Sequence, residues 1–132
     1  MATSMADYLN RDMECEGLLE CLHGLKDLDR ECFMVLTQSP EPLTVDEVAD
    51  RVDRERSTAY RSIQRLLQTG LLQKEQVNYD HGGYYHVYRP TDPDEIADDM
   101  QAKLNEWYAM IGQLIQEFRK KYEEQAGQVA AE

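Results

Sequence analysis

At 132 residues the chain is long enough for one domain with a real core plus one further element, and too short for two ordinary domains. Twenty-six acidic residues against fourteen basic ones give a formal net charge of −12, which excludes a nonspecific polyanion binder. No apolar run approaches the ~18–20 residues needed to cross a bilayer, and MATSMADYLNRDMECEG lacks the basic and apolar regions of a secretory leader, so a cytoplasmic protein with no membrane partner is expected.

Residues 1–12 lack periodicity and are expected to form a flexible arm. In MECEGLLECLHGL, Leu18, Leu19, Leu22 and Leu25 recur at helical spacing and Gly24 supplies a stop, which predicts a first helix. Asp27 or Asp29 can cap a second helix whose apolar positions are Cys32, Phe33, Val35 and Leu36, and Pro40 and Pro42 break the chain after it. Cys15, Cys21 and Cys32 are an odd number in a chain with no secretory signal, so reduced thiols are expected rather than a disulfide framework. Cys15 and Cys21, six residues apart, fall roughly 240° apart around a helix, so they make no chelating pair, and neither a metal nor another cofactor is expected.

The segment from Leu43 to Leu72 has the grammar of a helix-turn-helix. Thr44 and Glu47 form a T-x-x-E capping box, with Leu43 and Val48 placed to close a hydrophobic staple and Ala49 and Val52 continuing the apolar side. Arg51 and Val52 end that helix, and Asp53 is a candidate N-cap for the next. In this next helix, about residues 54–69, Ala59, Ile63, Leu66 and Leu67 form the buried stripe and Gly70 the stop. Arg54, Ser57, Thr58, Arg61, Gln64, Arg65 and Gln68 lie away from the stripe. Between Arg51 and Lys74 six basic and two acidic residues give a local balance of +4, which leaves −16 for the rest of the chain. Five of the nine arginines thus fall within fifteen residues of a very acidic chain, the concentration that phosphate binding requires and a solvated face does not.

After Gly70 the period shortens toward that of strands. Leu71, Leu72, Val77 and Tyr79 lead into the turn Asp80–Gly83, and the aromatic, β-branched run Tyr84–Tyr88 returns, which predicts a β-hairpin with its tip at about residues 78–83. Asn78 and His81 can donate hydrogen bonds from that tip, and the tyrosines are expected to pair across the strands rather than to form a stacking platform. Thr91, Asp92 and Pro93 then open a long helix from about Asp94 to Tyr122. Met100, Leu104, Trp107, Ile111, Leu114 and Phe118 repeat at spacings of four, three, four, three and four, a heptad seam that predicts a partner helix. The expected organisation is therefore a flexible arm (1–12), a mainly α domain with a β-hairpin wing (13–90), a coiled-coil dimerisation helix (91–123) and a frayed tail (124–132).

The stretch LLECLHGLKDLDRECFMVLTQSPEPLTVDEVADRVDRERSTAYRSIQRLLQTGLLQKE resembles the N-terminal winged-helix domain of TrmB-type archaeal transcriptional regulators. The likeness covers residues 18–75 and rests on the leucines at 18, 19, 22 and 25, on RSTAYR and on the RLLQTGLL exit. It implies that the second helix of the motif is a recognition helix for double-stranded DNA. Sugar-responsive members carry a large effector domain for which this chain has no room, so neither sugar sensing nor another small-molecule effector is implied. The acidic, lysine-poor composition is similar to that of proteins from salt-accumulating haloarchaea, where carboxylates keep a protein hydrated in screening salt. Small haloarchaeal winged-helix regulators similar to this chain include redox-responsive ones, which makes Cys21 and Cys15 the candidate redox residues, although Glu14, Glu16 and Glu20 beside them work against thiolate formation.

The function expected is that of a homodimeric, sequence-specific transcriptional regulator of a pseudo-palindromic DNA site. Arg54, Arg56, Arg61 and Arg65 are candidates for guanine edges or phosphates and Gln64 for adenine; Ser57, Thr58 and Tyr60 would meet phosphates or thymine methyls, with Asn78 and His81 on the wing. The alternative is a winged-helix adaptor for protein partners, which a donor-rich recognition face disfavours. No glycine-rich phosphate loop, nucleophile motif or HExxH occurs, so an enzyme is not expected.

Overall fold

The computed structural model describes residues 4–10, 14, 15 and 17–131, with the side chains of 8–10 and 129–131 left out. Helices α1 (Met5–Asn10), α2 (Gly17–His23), α3 (Asp27–Gln38), α4 (Val45–Val52) and α5 (Arg56–Gln68) precede a hairpin of β1 (Leu72–Asn78) and β2 (Tyr84–Pro90), and α6 (Pro93–Ala131) closes the chain. The chain divides into two compact units, Met1–Ile96 and Ala97–Glu132.

In the first unit, the reciprocal cap of α4 forms as its sequence predicts. The Glu47 N–H donates to Thr44 Oγ1 at 3.2 Å and the Thr44 N–H donates to Glu47 Oε1 at 3.0 Å. Two orphan donors at the helix start are thereby satisfied. Val45, Val48, Ala49 and Val52 are buried beneath α4, and α3 contributes Cys32 and Leu36 to the same core. Ala59, Ile63 and Leu66 bury one side of α5 as expected, whereas Leu67 is only half-buried and Ser62 takes a core position. At the exit of α5 the Leu71 N–H reaches Leu66 O at 3.0 Å and the Gly70 N–H reaches Leu67 O at 3.1 Å. This closure requires the left-handed φ of +80° that Gly70 adopts.

The hairpin pairs antiparallel, from Leu72 opposite Pro90 to Asn78 opposite Tyr84. Gly82 and Gly83, at φ +103° and +84°, make the turn, and the Tyr79 N–H donates to Gly83 O at 3.0 Å. Leu43 adds a bridge on the other edge of β2: its N–H and that of Tyr88 exchange bonds with the opposite carbonyls at 3.0 and 2.8 Å. This ties the α3–α4 connection to the wing. Thr91 fixes the wing's exit, because its N–H donates to Leu71 O and its hydroxyl to Gly70 O at 2.7 Å. Helices α3, α4 and α5 with a two-stranded wing make this unit a winged helix-turn-helix.

Four local expectations are corrected. Asp53 is not the N-cap of α5; it ends α4 in the left-handed conformation (φ 54°, ψ 54°), and Glu55 occupies the N-cap position. Left-handed Asp is tolerated because its short polar side chain crowds the carbonyl little. Neither Asp27 nor Asp29 caps α3. Lys26 stands at the N-cap and Asp29, one turn in, accepts the Lys26 N–H at 3.1 Å. Within the arm expected at 1–12, Met5–Asn10 is helical, with Ser4 Oγ accepting the Asp7 N–H at 3.2 Å, while residues 1–3 and 11–13 lie outside the described residues. Finally α6 runs through the tail expected at 124–132 as far as Ala131, since its glutamines and alanines favour helix and outweigh the single Gly127.

Helix α6 begins within the first unit and runs through the second. The Asp94 N–H donates to Asp92 Oδ1 at 3.1 Å, so Asp92 caps the helix and Pro93 takes its first position. The 39 residues extend about 58 Å at 1.5 Å per residue. Of the seam, Met100 and Ile111 are half-buried and Leu104, Trp107, Leu114 and Phe118 are exposed, Phe118 to 71%.

Candidate nucleic-acid interface

With one side of α5 fully committed to the core, its other side is available. Arg56, Ser57, Tyr60, Arg61 and Gln68 are exposed there, Thr58 and Gln64 are half-buried beside them, and Arg54, expected within the helix, is exposed in the turn before its N-cap Glu55. Arg61 makes no ion pair among the described residues, whereas the Arg56 Nε lies 3.0 Å from Asp46 Oδ1 at the start of α4. Both members of that pair are well exposed, so it contributes little and is easily exchanged for a phosphate. Arg54 Nη1 donates to the adjacent Asp53 carbonyl at 3.1 Å and remains on the surface.

Arg65 behaves differently. Its Nε donates to Asp29 Oδ1 and Oδ2 at 3.1 and 3.0 Å and its Nη2 to Oδ1 at 2.8 Å, a forked grip on a carboxylate that has no exposed surface. Ser62 Oγ completes the site by donating to Asp29 Oδ1 at 2.6 Å. Burial pushes the Asp29 carboxyl up, but the bonds from Arg65, Ser62 and the Lys26 N–H outweigh it and hold the group below its ordinary value. The same bond, donated to Asp29, raises Arg65, and burial pushes the neighbouring Cys32 thiol up. The guanidinium expected to meet DNA is therefore engaged in fastening α5 to α3. Sequence reasoning missed this cluster, although Asp29, Cys32 and Leu36 share one helical face and Ser62 falls inside the stripe of α5.

Between α5, the start of α4 and the wing lies a cleft of about 510 Å³. Arg56, Tyr60 and Gln64 line it from the helix and Lys74, Tyr84 and His86 from the hairpin. Lys74 and His86 were absent from the expected site, yet the hairpin register places them on the face turned to α5. Asn78 and His81 are exposed at the wing's end, where Asn78 Oδ1 accepts from Gln76 Nε2 at 2.9 Å. The aromatic rings are occupied largely with one another. Tyr79 and Tyr85 approach to 5.0 Å between centroids, and Tyr84 meets His86 edge-on at 5.4 Å. The first of these is the cross-strand packing expected of the tyrosines, whereas the second runs along β2 between residues two apart. Cys15 and Cys21 are exposed and Cys32 is buried. Among the described residues no helix is long and apolar enough to cross a membrane, and no three His, Cys, Asp or Glu side chains gather to hold a metal ion.

Comparison with known proteins agrees with the winged-helix fold. The profile of the family described as "Sugar-specific transcriptional regulator TrmB" matches residues 19–94. Two uncharacterized proteins of Methanocaldococcus jannaschii are each 29% identical, one over 77% of this chain and 76% of its own length, the other over 80% and 86%. Among solved structures, a possible transcriptional regulator from Methanosarcina mazei is 23% identical with a TM-score of 0.70, covering 81% of this chain and 90% of its own. A protein of the thermoacidophilic archaeon Sulfolobus tokodaii is 16% identical with a TM-score of 0.59, over 73% and 93%. These two share the fold.

Proposed function

The chain belongs to the TrmB family of transcriptional regulators, and we propose that it acts as a homodimer that reads a pseudo-palindromic DNA site with α5 in the major groove. The family and the winged-helix fold make it a DNA-binding regulator and not an enzyme. One observation carries the finer reading: in a chain of net charge −12, the solvent side of α5 presents Arg56 and Arg61 together with Ser57, Thr58 and Gln64, and Arg54 is exposed just before the helix begins. A forked guanidinium suits guanine, a carboxamide suits adenine, and the hydroxyls suit phosphates. Tyr60 of α5 and Asn78 and His81 on the wing flank the groove at the sugar-phosphate backbone or the minor groove. Arg65 takes no direct part; it acts by holding α5 in place.

The dimer is formed by α6 through Met100, Leu104, Trp107, Ile111, Leu114 and Phe118, of which Leu104, Trp107, Leu114 and Phe118 are exposed in the single chain, a costly arrangement without a partner. Domains 13–90 and 91–123 thus divide the work between reading and pairing. Two-fold symmetry then demands two half-sites, spaced about one helical turn or ~34 Å apart. Cys21 and Cys15 are exposed, as a thiol that senses oxidant must be. Equilibrium titration of an operator fragment with wild type, Arg61→Ala and Cys15→Ser/Cys21→Ser tests both parts. Arg61→Ala should weaken binding about tenfold or more, and peroxide should change the affinity of wild type but not of the serine variant. An unaltered affinity in Arg61→Ala, with α5 still folded, favours the adaptor reading.

A further inference from the structure

The dimer reading leaves the direction of helix pairing open, and the pattern of side chains on α6 decides it. We infer that two copies of α6 pair antiparallel, centred near Ala109; this inference rests on the proposal that α6 forms the dimer.

With heptad spacing, Met100, Trp107 and Leu114 occupy d positions and Leu104, Ile111 and Phe118 occupy a positions. An antiparallel pair sets each d residue opposite an a residue of the second copy. Met100 then faces Phe118, Leu104 faces Leu114 and Trp107 faces Ile111, so that every layer joins different shapes and the largest rings meet flexible or branched partners. A parallel pair sets each residue on itself. Trp107 would lie on Trp107 and Phe118 on Phe118, and the next d residue, Lys121, would bring two ammonium groups together in the seam. Antiparallel pairing puts Lys121 opposite Ala97 instead.

The flanking positions point the same way. In an antiparallel pair the residues one place before each a position meet each other across the seam, and here these are Lys103, Met110 and Glu117. Lys103 faces Glu117 of the second copy, twice per dimer by symmetry, and Met110 faces Met110. In a parallel pair Lys103 would instead face Tyr108 and Glu117 would face Tyr122, with no opposite charges joined. Lys103 already lies against Asp99 one turn back, which leaves its other hydrogens free to reach across. Tyr108, exposed to 78%, and Met110 and Ile115, both more than half exposed, widen the apolar stripe on both sides of the seam. An unpartnered face of this width, with charges complementary only to its own reversed copy, fits a second copy running the other way.

The test uses the full chain with Cys15 and Cys21 replaced by serine, Cys32 being buried and inert to labelling. Sedimentation first establishes that the protein is a dimer; a monomer would overturn the dimer reading and this inference with it. A spin label at Glu123→Cys, on the outer side of α6, then reports the distance between copies. Antiparallel pairing predicts about 40–45 Å, from twice fourteen residues at ~1.5 Å each, and parallel pairing about 20–25 Å. A dimer with the short distance would overturn the orientation while leaving the dimer intact. As a check on side-chain register, Lys103→Glu or Glu117→Lys alone should weaken the dimer roughly tenfold, and the two together should restore it. Single variants that leave dimerisation unchanged would refute this register.

Discussion

Replacing Asp29 by Asn should destabilise the winged-helix domain far more than an ordinary surface acid would. The carboxylate is wholly buried and accepts bonds from Arg65, Ser62 and the Lys26 N–H. Asparagine keeps the shape, and its carbonyl can still accept from Ser62, but its NH2 group faces donors from Arg65 or Lys26. A hydrogen bond to a charged partner contributes about 1.5–3 kcal/mol. The Arg65 side chain is 39% exposed and can recover some solvation, so a net loss of about 2–3 kcal/mol is expected. For a domain of this size that lowers the melting temperature by roughly 10–20 °C. The sign with pH follows from the depressed carboxyl. Its contribution is complete above the ordinary value of 3.8 and is lost as pH falls below it toward the folded value. Urea titration of wild type and Asp29→Asn at neutral pH should show the difference at constant slope, and the gap should narrow in acid below about pH 4. A variant within ~0.5 kcal/mol of wild type, or a gap that widens in acid, would refute the claim that Arg65 is held on Asp29 rather than offered to DNA.

Other expectations follow from the same contacts. Arg65→Ala should lower stability by about 2 kcal/mol yet leave the salt dependence of DNA binding unchanged under conditions where it is folded, whereas Arg61→Ala should reduce the slope of log affinity against log salt by about one if it neutralises a phosphate. Thr44→Ala, which removes half of the capping box, should cost about 1 kcal/mol in thermal or urea melts. Gly70→Ala meets no atom within 4 Å at its new Cβ but must adopt φ +80°, so it should cost roughly 1–2 kcal/mol through backbone strain alone, measurable by calorimetry.

Local signals in this chain were readable, and signals that depend on distant partners were not. Thr44 and Glu47 satisfy each other's backbone within four residues, and at Gly70 α5 closes, with the Gly70 N–H bonding Leu67 O and the Leu71 N–H bonding Leu66 O, so both ends of the motif could be placed from sequence. The hairpin was legible for the same reason, since Gly82 and Gly83 mark a turn just before the aromatic, β-branched run Tyr84–Tyr88. Asp29 was hidden because an acid in the first turn of an amphipathic helix ordinarily faces water, and the partners that draw it inward lie 33 and 36 residues away. The hold of Asp29 on Arg65 was hidden with it: helical spacing sets Arg65 beside Arg61, but that spacing cannot tell a guanidinium that reaches α3 from one that reaches out. Lys74 and His86 escaped because a strand's facing residues are fixed only once the register is known.

The measurement that bears most directly on α5 as a recognition helix is selection of bound fragments from a random DNA pool by wild type and Arg61→Ala, in molar KCl as well as in dilute salt. A recurring pseudo-palindrome with half-sites about one helical turn apart, lost or relaxed in Arg61→Ala, is the predicted result. Enrichment of no sequence by a folded, dimeric wild type, or an identical motif from both proteins, would contradict it.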